Sequence, residues 1–212
     1  MTKSIRSTPP ADFNESEISF APVTPANWPD LESLFSERGV QNGCWCMYWR
    51  VPRNEFSHNY GKGNEHSLKK ITDSDTVPGL LAYHVSKPVG WVSVAPRQDF
   101  GVLGRSPVLK PVDAEPVWSI VCFFVSKAYR RSGLSLLLIR AAVQYAAEHG
   151  ARIVEAYPID PDAKSIEYER YTGLTTTFIK AGFKEVLRRS DRRPIMRYSI
   201  HKDQISSRKE KM

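Results

Sequence analysis

The sequence predicts a mixed α/β (α+β) domain with one central mixed sheet of six to seven strands flanked by helices. Strand-like and helix-like hydrophobic patterns alternate along 212 residues, a length that suits one globular domain. The segment "VWSIVCFFV" (117–125) is apolar nearly throughout, which is typical of a strand covered on both faces. Apolar residues recur at helical spacing over 133–149, and Gly150 is a suitable stop.

The N-terminal third predicts a leader, a strand and two helical regions. Residues 1–16 are polar and contain prolines, so we expect a flexible leader. Residues 18–23 alternate as a strand, and 24–39 then read as a helix that stops at Gly39. The following stretch predicts a loop or short helix that leads into a helix ending near Ile71.

The remaining elements follow in the order of the chain. "GLLAYHVSKPVGWVSVAP" predicts a hairpin with its tight connection at "SKP", and 97–116 contain Gly and Pro breakers that predict a long loop. After the central strand and the 133–149 helix we expect a strand, a helix and two strands, at 151–159, 171–182, 183–189 and 194–200. The predicted domain therefore spans 17–200 and is followed by a basic tail at 201–212.

Composition limits the partners and the compartment. No apolar run is long enough to span a bilayer, and the N-terminus is charged and proline-containing, so we expect a cytoplasmic protein without a membrane partner. Three cysteines are too few for a disulfide framework and are expected to be reduced. Of the net charge of +7, most lies from Lys184 onward, where ten Lys and Arg face four acidic residues. Without a nucleic-acid-binding motif, this charge does not predict a nucleic-acid partner.

The turn "RRSGLS" (130–135) joins the central strand to the long helix and has features that suit an anion-binding site. The first N–H groups of a helix lack intrahelical partners and lie at the positive end of its dipole. Gly133 would let a phosphate approach the backbone, and Arg130 and Arg131 would add positive charge. An ordinary turn with solvated arginines explains the same residues when they are taken alone.

The wider context resembles the GNAT N-acetyltransferase superfamily. "SIVCFFVSKAYRRSGLSLLLIRAAVQYA" is similar to its acetyl-CoA motif, Q/R-x-x-G-x-G/A between a strand and a helix, with Ser135 at the place of the last small residue. "TTTFIKAGFKEV" is similar to the penultimate helix and strand of the family, and the element order also agrees over about 18–200. Segments such as "CWCMYWR" resemble an uncharacterised bacterial subgroup. The resemblance implies the GNAT fold, acetyl-CoA as cosubstrate and acyltransferase activity.

The resemblance also implies a cofactor-binding set. The pyrophosphate would lie on the N–H groups of Arg131 to Ser135, and the pantetheine would follow the end of the central strand. The thioester carbonyl would be polarised by a backbone N–H near Cys122 to Phe124. The cofactor-binding residues implied in this way are Phe123, Phe124, Val125, Arg130, Arg131, Ser132, Gly133, Leu134, Ser135 and Phe178.

Two residues are candidates for proton transfer. Ser119 stands where many members have an acid, so Glu155 on the next strand is the leading general base; an exposed strand carboxylate is the alternative interpretation. Phe178 stands where the family usually has a proton-donating Tyr. Tyr171 is the candidate to replace it, and a packing role for Tyr171 is the alternative interpretation. Solvent protonation of the leaving thiolate is a further route, because a thiol has a pKa near 8.5.

The segment "CWCMYWR" supplies the candidate acceptor pocket. Cys44, Trp45, Tyr48 and Trp49 would form a rigid, mostly apolar wall on the substrate side, although packing in the core explains these aromatic residues equally well. No standard zinc spacing accompanies Cys44 and Cys46, so no metal is predicted.

Together these features predict an N-acetyltransferase that moves an acetyl group from acetyl-CoA directly to a primary amine of a small molecule or peptide. A catalytically degenerate acyl-CoA-binding or sensing module of the same fold is the alternative, because Phe178 and Ser119 replace the usual proton-transferring residues. Homodimer formation is left open.

Overall fold

The computed structural model describes residues 10, 13–36, 43–162 and 167–201. Most of the predicted leader (1–16) and tail (201–212) therefore lies outside the described residues. At the end of the predicted leader, Glu15–Glu17 form a turn of 3-10 helix, which Asn14 caps by accepting a hydrogen bond from the Ser16 N–H.

Seven strands form one sheet in the order β1-β2-β3-β4-β5-β7-β6. All neighbouring strands are antiparallel except β4 and β5, which are parallel, so the sheet is mixed as predicted. The strands are β1 (Ile18–Pro22), β2 (Leu80–His84), β3 (Lys87–Pro96), β4 (Trp118–Val125), β5 (Ile153–Ala156), β6 (Lys184–Arg188) and β7 (Pro194–Ser199).

The helices cover both faces of this sheet. They are α1 (Trp28–Phe35), α2 (Arg53–His58), α3 (Lys62–Asp73), α4 (Gly101–Arg105), α5 (Leu134–Glu148) and α6 (Thr175–Lys180). One core lies between the sheet and α1, α3, α4 and the 43–50 segment; the other lies under α5 and α6. Gly90 on β3 allows close packing, since a Cβ there would lie 3.1 Å from Leu134 of α5.

Two loop predictions differ from the structure. The hairpin turns at Val85 and Ser86, one residue before the predicted "SKP", because His84 already pairs with Lys87. The predicted long loop at 97–116 contains α4, where Leu103 is fully buried and gives the short helix an apolar contact with the core. The strand and helix predicted on either side of the glycine turn are both present, as β4 and α5.

Candidate active site

The turn between β4 and α5 concentrates backbone donors at one place. Arg131 and Gly133 both have positive φ, +67° and +88°, and Ser132 Oγ donates a hydrogen bond to the Tyr129 carbonyl at 2.7 Å. Among the described residues, the N–H groups of Arg131, Ser132, Gly133 and Ser135 find no acceptor. These donors stand at the N-terminus of the 15-residue helix α5, the position that favours an anion.

The surface above this turn is open and positively charged. Arg130, Arg131 and Gly133 are exposed, and Arg130 Nε donates to the Val125 carbonyl at 3.3 Å. A Cβ built on Gly133 would have only one described neighbour within 4 Å, Oε1 of Glu15 at 3.3 Å. A carboxylate of the N-terminal 3-10 turn thus lies against the predicted anion site.

Strands β4 and β5 separate beside this turn. They pair over three residues only, from Trp118↔Val154 to Ile120↔Ala156. Beyond Ile120, β4 pairs with β3 alone. A bulge leaves Val121 without a partner on β3 at this point, which changes the direction of β4. The predicted pantetheine-binding residues Phe123, Phe124 and Val125 follow the separation and are half-buried.

Phe178 packs in the core instead of lining an open groove. Its ring lies 5.9 Å from that of Phe123 and 4.9 Å from that of Phe183, and its exposure is 0%. The predicted direct contact of Phe178 with the cofactor therefore does not fit the structure. Phe178 instead packs against the half-buried Phe123 and so helps to hold it in place. Leu134, another member of the predicted set, is likewise buried and contributes only its backbone to the turn.

Glu155 is a buried ion-paired residue, which does not fit the predicted general base. Its side chain is 1% exposed, so the alternative of an exposed carboxylate is also excluded. Oε1 accepts hydrogen bonds from Arg97 at 2.8 Å and from the Tyr157 hydroxyl at 2.6 Å, while Oε2 accepts from Arg197 at 2.8 Å. Two guanidinium groups stabilise the carboxylate, and both of its oxygens are occupied by hydrogen bonds within the protein.

Ser119 belongs to the same network. It is fully buried, and its Oγ lies 2.9 Å from the hydroxyl of Tyr157, within hydrogen-bonding distance. The strand position at which many family members carry an acid is thus used here for packing and hydrogen bonding.

The aromatic segment divides between the core and a wall. Trp45 is half-buried and stacks on Trp28 with ring centroids 5.8 Å apart, and Tyr48 makes an edge contact with Tyr171 at 6.5 Å. Trp49 is buried at 7% exposure, which supports the core-packing interpretation for this residue and not a pocket wall. The other three residues of the predicted wall, Cys44, Trp45 and Tyr48, are half-buried.

Tyr171 lies between this wall and β4. Burial raises its pKa above the ordinary value, so the phenol keeps its proton at neutral pH and can only donate it in a hydrogen bond. Cys44 is half-buried and also protonated, since burial raises its pKa to about 12.

Cys46 is the residue of this segment that sequence reasoning missed. It is buried against Cys122 of β4, with the two sulfur atoms 3.1 Å apart. Their close spacing in the sequence draws attention to Cys44 and Cys46 as a pair. Nothing in the sequence predicts that Cys122 lies next to Cys46.

The separation of β4 from β5, followed by a glycine turn and a long helix, defines an acyl-CoA-dependent acyltransferase fold. The model of the "Acetyltransferase (GNAT) family" matches residues 42–173, more than half of the chain. The protein belongs to the GNAT acetyltransferase family. Family membership confirms the expected acyltransferase class and acetyl-CoA as its cosubstrate.

Solved structures agree with this fold. A GNAT-family acetyltransferase from Listeria monocytogenes matches with a TM-score of 0.54 at 10% identity, over 86% of this chain and 95% of that one. The PaiA N-acetyltransferase of Thermoplasma acidophilum, solved with coenzyme A, matches with a TM-score of 0.50 at 13% identity, over 86% and 99% of the two chains. A comparison with curated protein sequences gives no significant match.

No helix in the described ranges has both the length and the apolar character required to cross a bilayer.

Proposed function

We propose that the protein transfers the acetyl group of acetyl-CoA directly to a primary amine of a small molecule or peptide. The observation that carries this proposal is the turn at 130–135, where exposed backbone donors and two arginines meet at the start of α5. A pyrophosphate would satisfy these donors and neutralise the arginines together. The residues present therefore fit this cosubstrate.

The other parts of the cosubstrate have candidate partners nearby. Beyond Ile120 the edge of β4 is released from β5, so its backbone amides are available to the amides of pantetheine, along Phe123, Phe124 and Val125. The thioester supplies an activated acyl group. A backbone N–H between Cys122 and Phe124 would polarise its carbonyl and stabilise the developing oxyanion.

Proton transfer is proposed to involve solvent. Both oxygens of Glu155 are occupied by Arg97, Arg197 and Tyr157, so water is a better acceptor for the proton of the incoming ammonium. We assign Tyr171 the role of a hydrogen-bond donor to the departing thiolate. Because its raised pKa lies above that of a thiol, the proton stays on Tyr171 and solvent completes the protonation of CoA.

The acceptor would bind beside Cys44, Trp45 and Tyr48. Stacking of Trp45 on Trp28 and the contact of Tyr48 with Tyr171 hold these side chains in place. A rigid, mainly aromatic wall suits an amine that is attached to an apolar or planar group, with shape complementarity providing the selectivity.

The Gly133→Trp variant tests the cosubstrate site. A Trp side chain would cover the exposed donors, so we expect acetyl-CoA affinity, measured by calorimetry, to fall at least about tenfold through lost hydrogen bonds to phosphate. Gly150→Trp is the matched control: Gly150 ends α5, has φ +82° and has open space around it. Both variants carry the same backbone strain, about 1–2 kcal/mol, and only Gly133→Trp should lose affinity. Equal affinities in the two variants would overturn the assignment.

Turnover is measured in the same experiment by release of the CoA thiol with a panel of primary amines. We expect Tyr171→Phe to lower kcat about tenfold, because one hydrogen bond to a charged leaving group is lost, with an unchanged KM for acetyl-CoA. Acetyl-CoA binding by the wild type without thiol release for any amine would favour the acyl-CoA-binding module instead.

A cytoplasmic location and a homodimer belong to the same proposal. All three cysteines are free thiols, which suits a reducing compartment, and cell fractionation tests this location. Sedimentation equilibrium of the purified chain tests the homodimer.

A further inference from the structure

Cys46 and Cys122 meet although 76 positions separate them in the sequence. Cys46 precedes the helical turn Met47–Trp49, and Cys122 lies on β4 directly after its bulge. Their sulfur atoms are 3.1 Å apart, which is only about 1 Å longer than a disulfide bond. The two residues are 6% and 7% exposed, so the pair lies in the core, and the sulfurs would have to approach by about 1 Å to reach bonding distance.

The surroundings of the two sulfurs differ. The indole N–H of Trp91 donates to Sγ of Cys46 at 3.2 Å, while no N–H group of the described residues donates to Sγ of Cys122. The hydrogen bond with Cys122, the Trp91 N–H and the charge of Arg50 lower the pKa of Cys46 in spite of its burial. The same hydrogen bond and burial raise the pKa of Cys122. Of the two thiols, Cys46 is therefore the more acidic and Cys122 the less acidic.

Cys44 differs from both residues. Its pKa is raised to about 12 by burial, and the structure gives it no hydrogen bond to Cys122 in the described part of the chain. Cys44 therefore serves as an internal control, since it is a third thiol two positions from Cys46 that lacks the contact with Cys122.

We propose that Cys46 and Cys122 form an oxidisable thiol pair whose oxidant is hydrogen peroxide. Cys46 loses its proton, and its sulfur attacks one peroxide oxygen and becomes a sulfenic acid. The released hydroxide takes up the proton that Cys46 lost and leaves as water. The Cys122 sulfur then attacks the Cys46 sulfur, and the hydroxyl leaves as a second water with the Cys122 proton. The two thiols lose two electrons and two hydrogens to form one disulfide, and one peroxide is reduced to two waters.

The disulfide would join the acceptor wall to the central strand. It would hold the 43–50 segment against β4 next to Phe123, and it would close a long loop of the unfolded chain. Cross-linking a loop of this length is expected to raise Tm by about 10 °C. The restraint on the acceptor wall is a consequence that rests on the proposed function; formation of the disulfide is independent of it.

The test uses the reduced full-length protein treated with one equivalent of hydrogen peroxide. We expect a mass loss of about 2 Da, a fall from three free thiols to one in denaturant, and a Cys46–Cys122 cross-linked peptide. Tm should rise, and dithiothreitol should reverse every change. Cys44→Ser should still lose 2 Da, whereas Cys46→Ser and Cys122→Ser should not.

Three results would overturn the proposal: a cross-link that contains Cys44, stable addition of oxygen to a thiol without a cross-link, or three thiols that survive peroxide. Peptide mapping of the wild type decides among these even if a serine variant fails to fold. None of these measurements requires acetyl-CoA or an amine, so they are separate from the tests of transferase activity.

Discussion

At the scale of single residues, the environment of Glu155 decides its chemistry. Its carboxylate is buried between Arg97 and Arg197, and it also accepts a hydrogen bond from Tyr157. Arg197 in turn holds Asp113 through two hydrogen bonds, so the two arginines and two acids balance in charge. Breaking a buried ion pair by removing one partner is strongly destabilising, because the remaining charge is uncompensated.

The Glu155→Gln variant distinguishes an ion-pair partner from a general base. We expect the free energy of unfolding, measured with urea, to fall by about 3 kcal/mol, since Arg97 and Arg197 lose their shared carboxylate. The pH dependence of kcat in the remaining folded enzyme should be unchanged. Stability equal to the wild type, with kcat depressed mainly at low pH, would restore Glu155 as the base.

At the scale of elements, the N-terminal 3-10 turn and the glycine turn face each other. Glu15 brings a carboxylate to within 3.3 Å of the position of a Cβ on Gly133. Glu17, two residues later, points elsewhere and lies 3.2 Å from Nε2 of His84. The two acids of one short turn therefore have different neighbours. Only Glu15 would lie beside the proposed pyrophosphate.

Replacing Glu15 with Gln is expected to strengthen acetyl-CoA binding. Removing the carboxylate relieves repulsion of the phosphates, and at an exposed site we expect a gain of about two- to fivefold in affinity. Glu17→Gln is the matched control and should change affinity less. Calorimetry at low and high salt checks the cause, because the gain should shrink as salt screens it. A gain equal in both variants would contradict a specific contact of Glu15.

At the scale of the whole molecule, three arginines of the basic C-terminal part connect its β6–β7 hairpin to other segments. Arg189 donates to the carbonyls of Lys110 and Pro111, and Arg197 pairs with Asp113. Arg188 pairs with Glu185 and Asp160. These arginines hold the 106–117 loop and the β6–β7 hairpin in place, so this part of the positive charge is used within the fold.

The Asp113–Arg197 pair makes stability depend on pH. The hydrogen bond with Arg197 lowers the pKa of Asp113 below its ordinary value. Its contribution is therefore complete above about pH 4 and is lost as the pH falls through the lower folded-state pKa. We expect Asp113→Asn to have a lower free energy of unfolding than the wild type at pH 6. The difference in free energy between the two proteins should become smaller at pH 3.

Urea unfolding at both pH values measures this gap. Asp75→Asn is the control, since Asp75 is exposed, makes no ion pair with a described residue, and has a φ of +58° that Asn accepts readily. A gap between Asp113→Asn and the wild type that stays constant with pH would show that the pair contributes through packing and not through charge.

The sequence by itself determined the features that depend on local pattern. The apolar run of β4, the periodicity of α5 and the glycine turn between them predicted the fold class and the place of the anion site. These features can be predicted because hydrophobic periodicity and the conformational freedom of glycine depend only on residues that are close in the sequence. Where an apolar residue needed a distant partner, as Leu103 of α4 does, the local pattern predicted a loop instead.

The tertiary structure alone decided what each side chain meets. Glu155 was predicted as a base from its position on a strand, but Arg97 reaches it from the turn after β3 and Arg197 reaches it from β7. Cys46 gained Cys122 as a neighbour from 76 positions away. Hydrogen bonds, ion pairs and pKa shifts act over a few ångströms in space, and spatial distance between remote segments exists only once the sheet has brought them together.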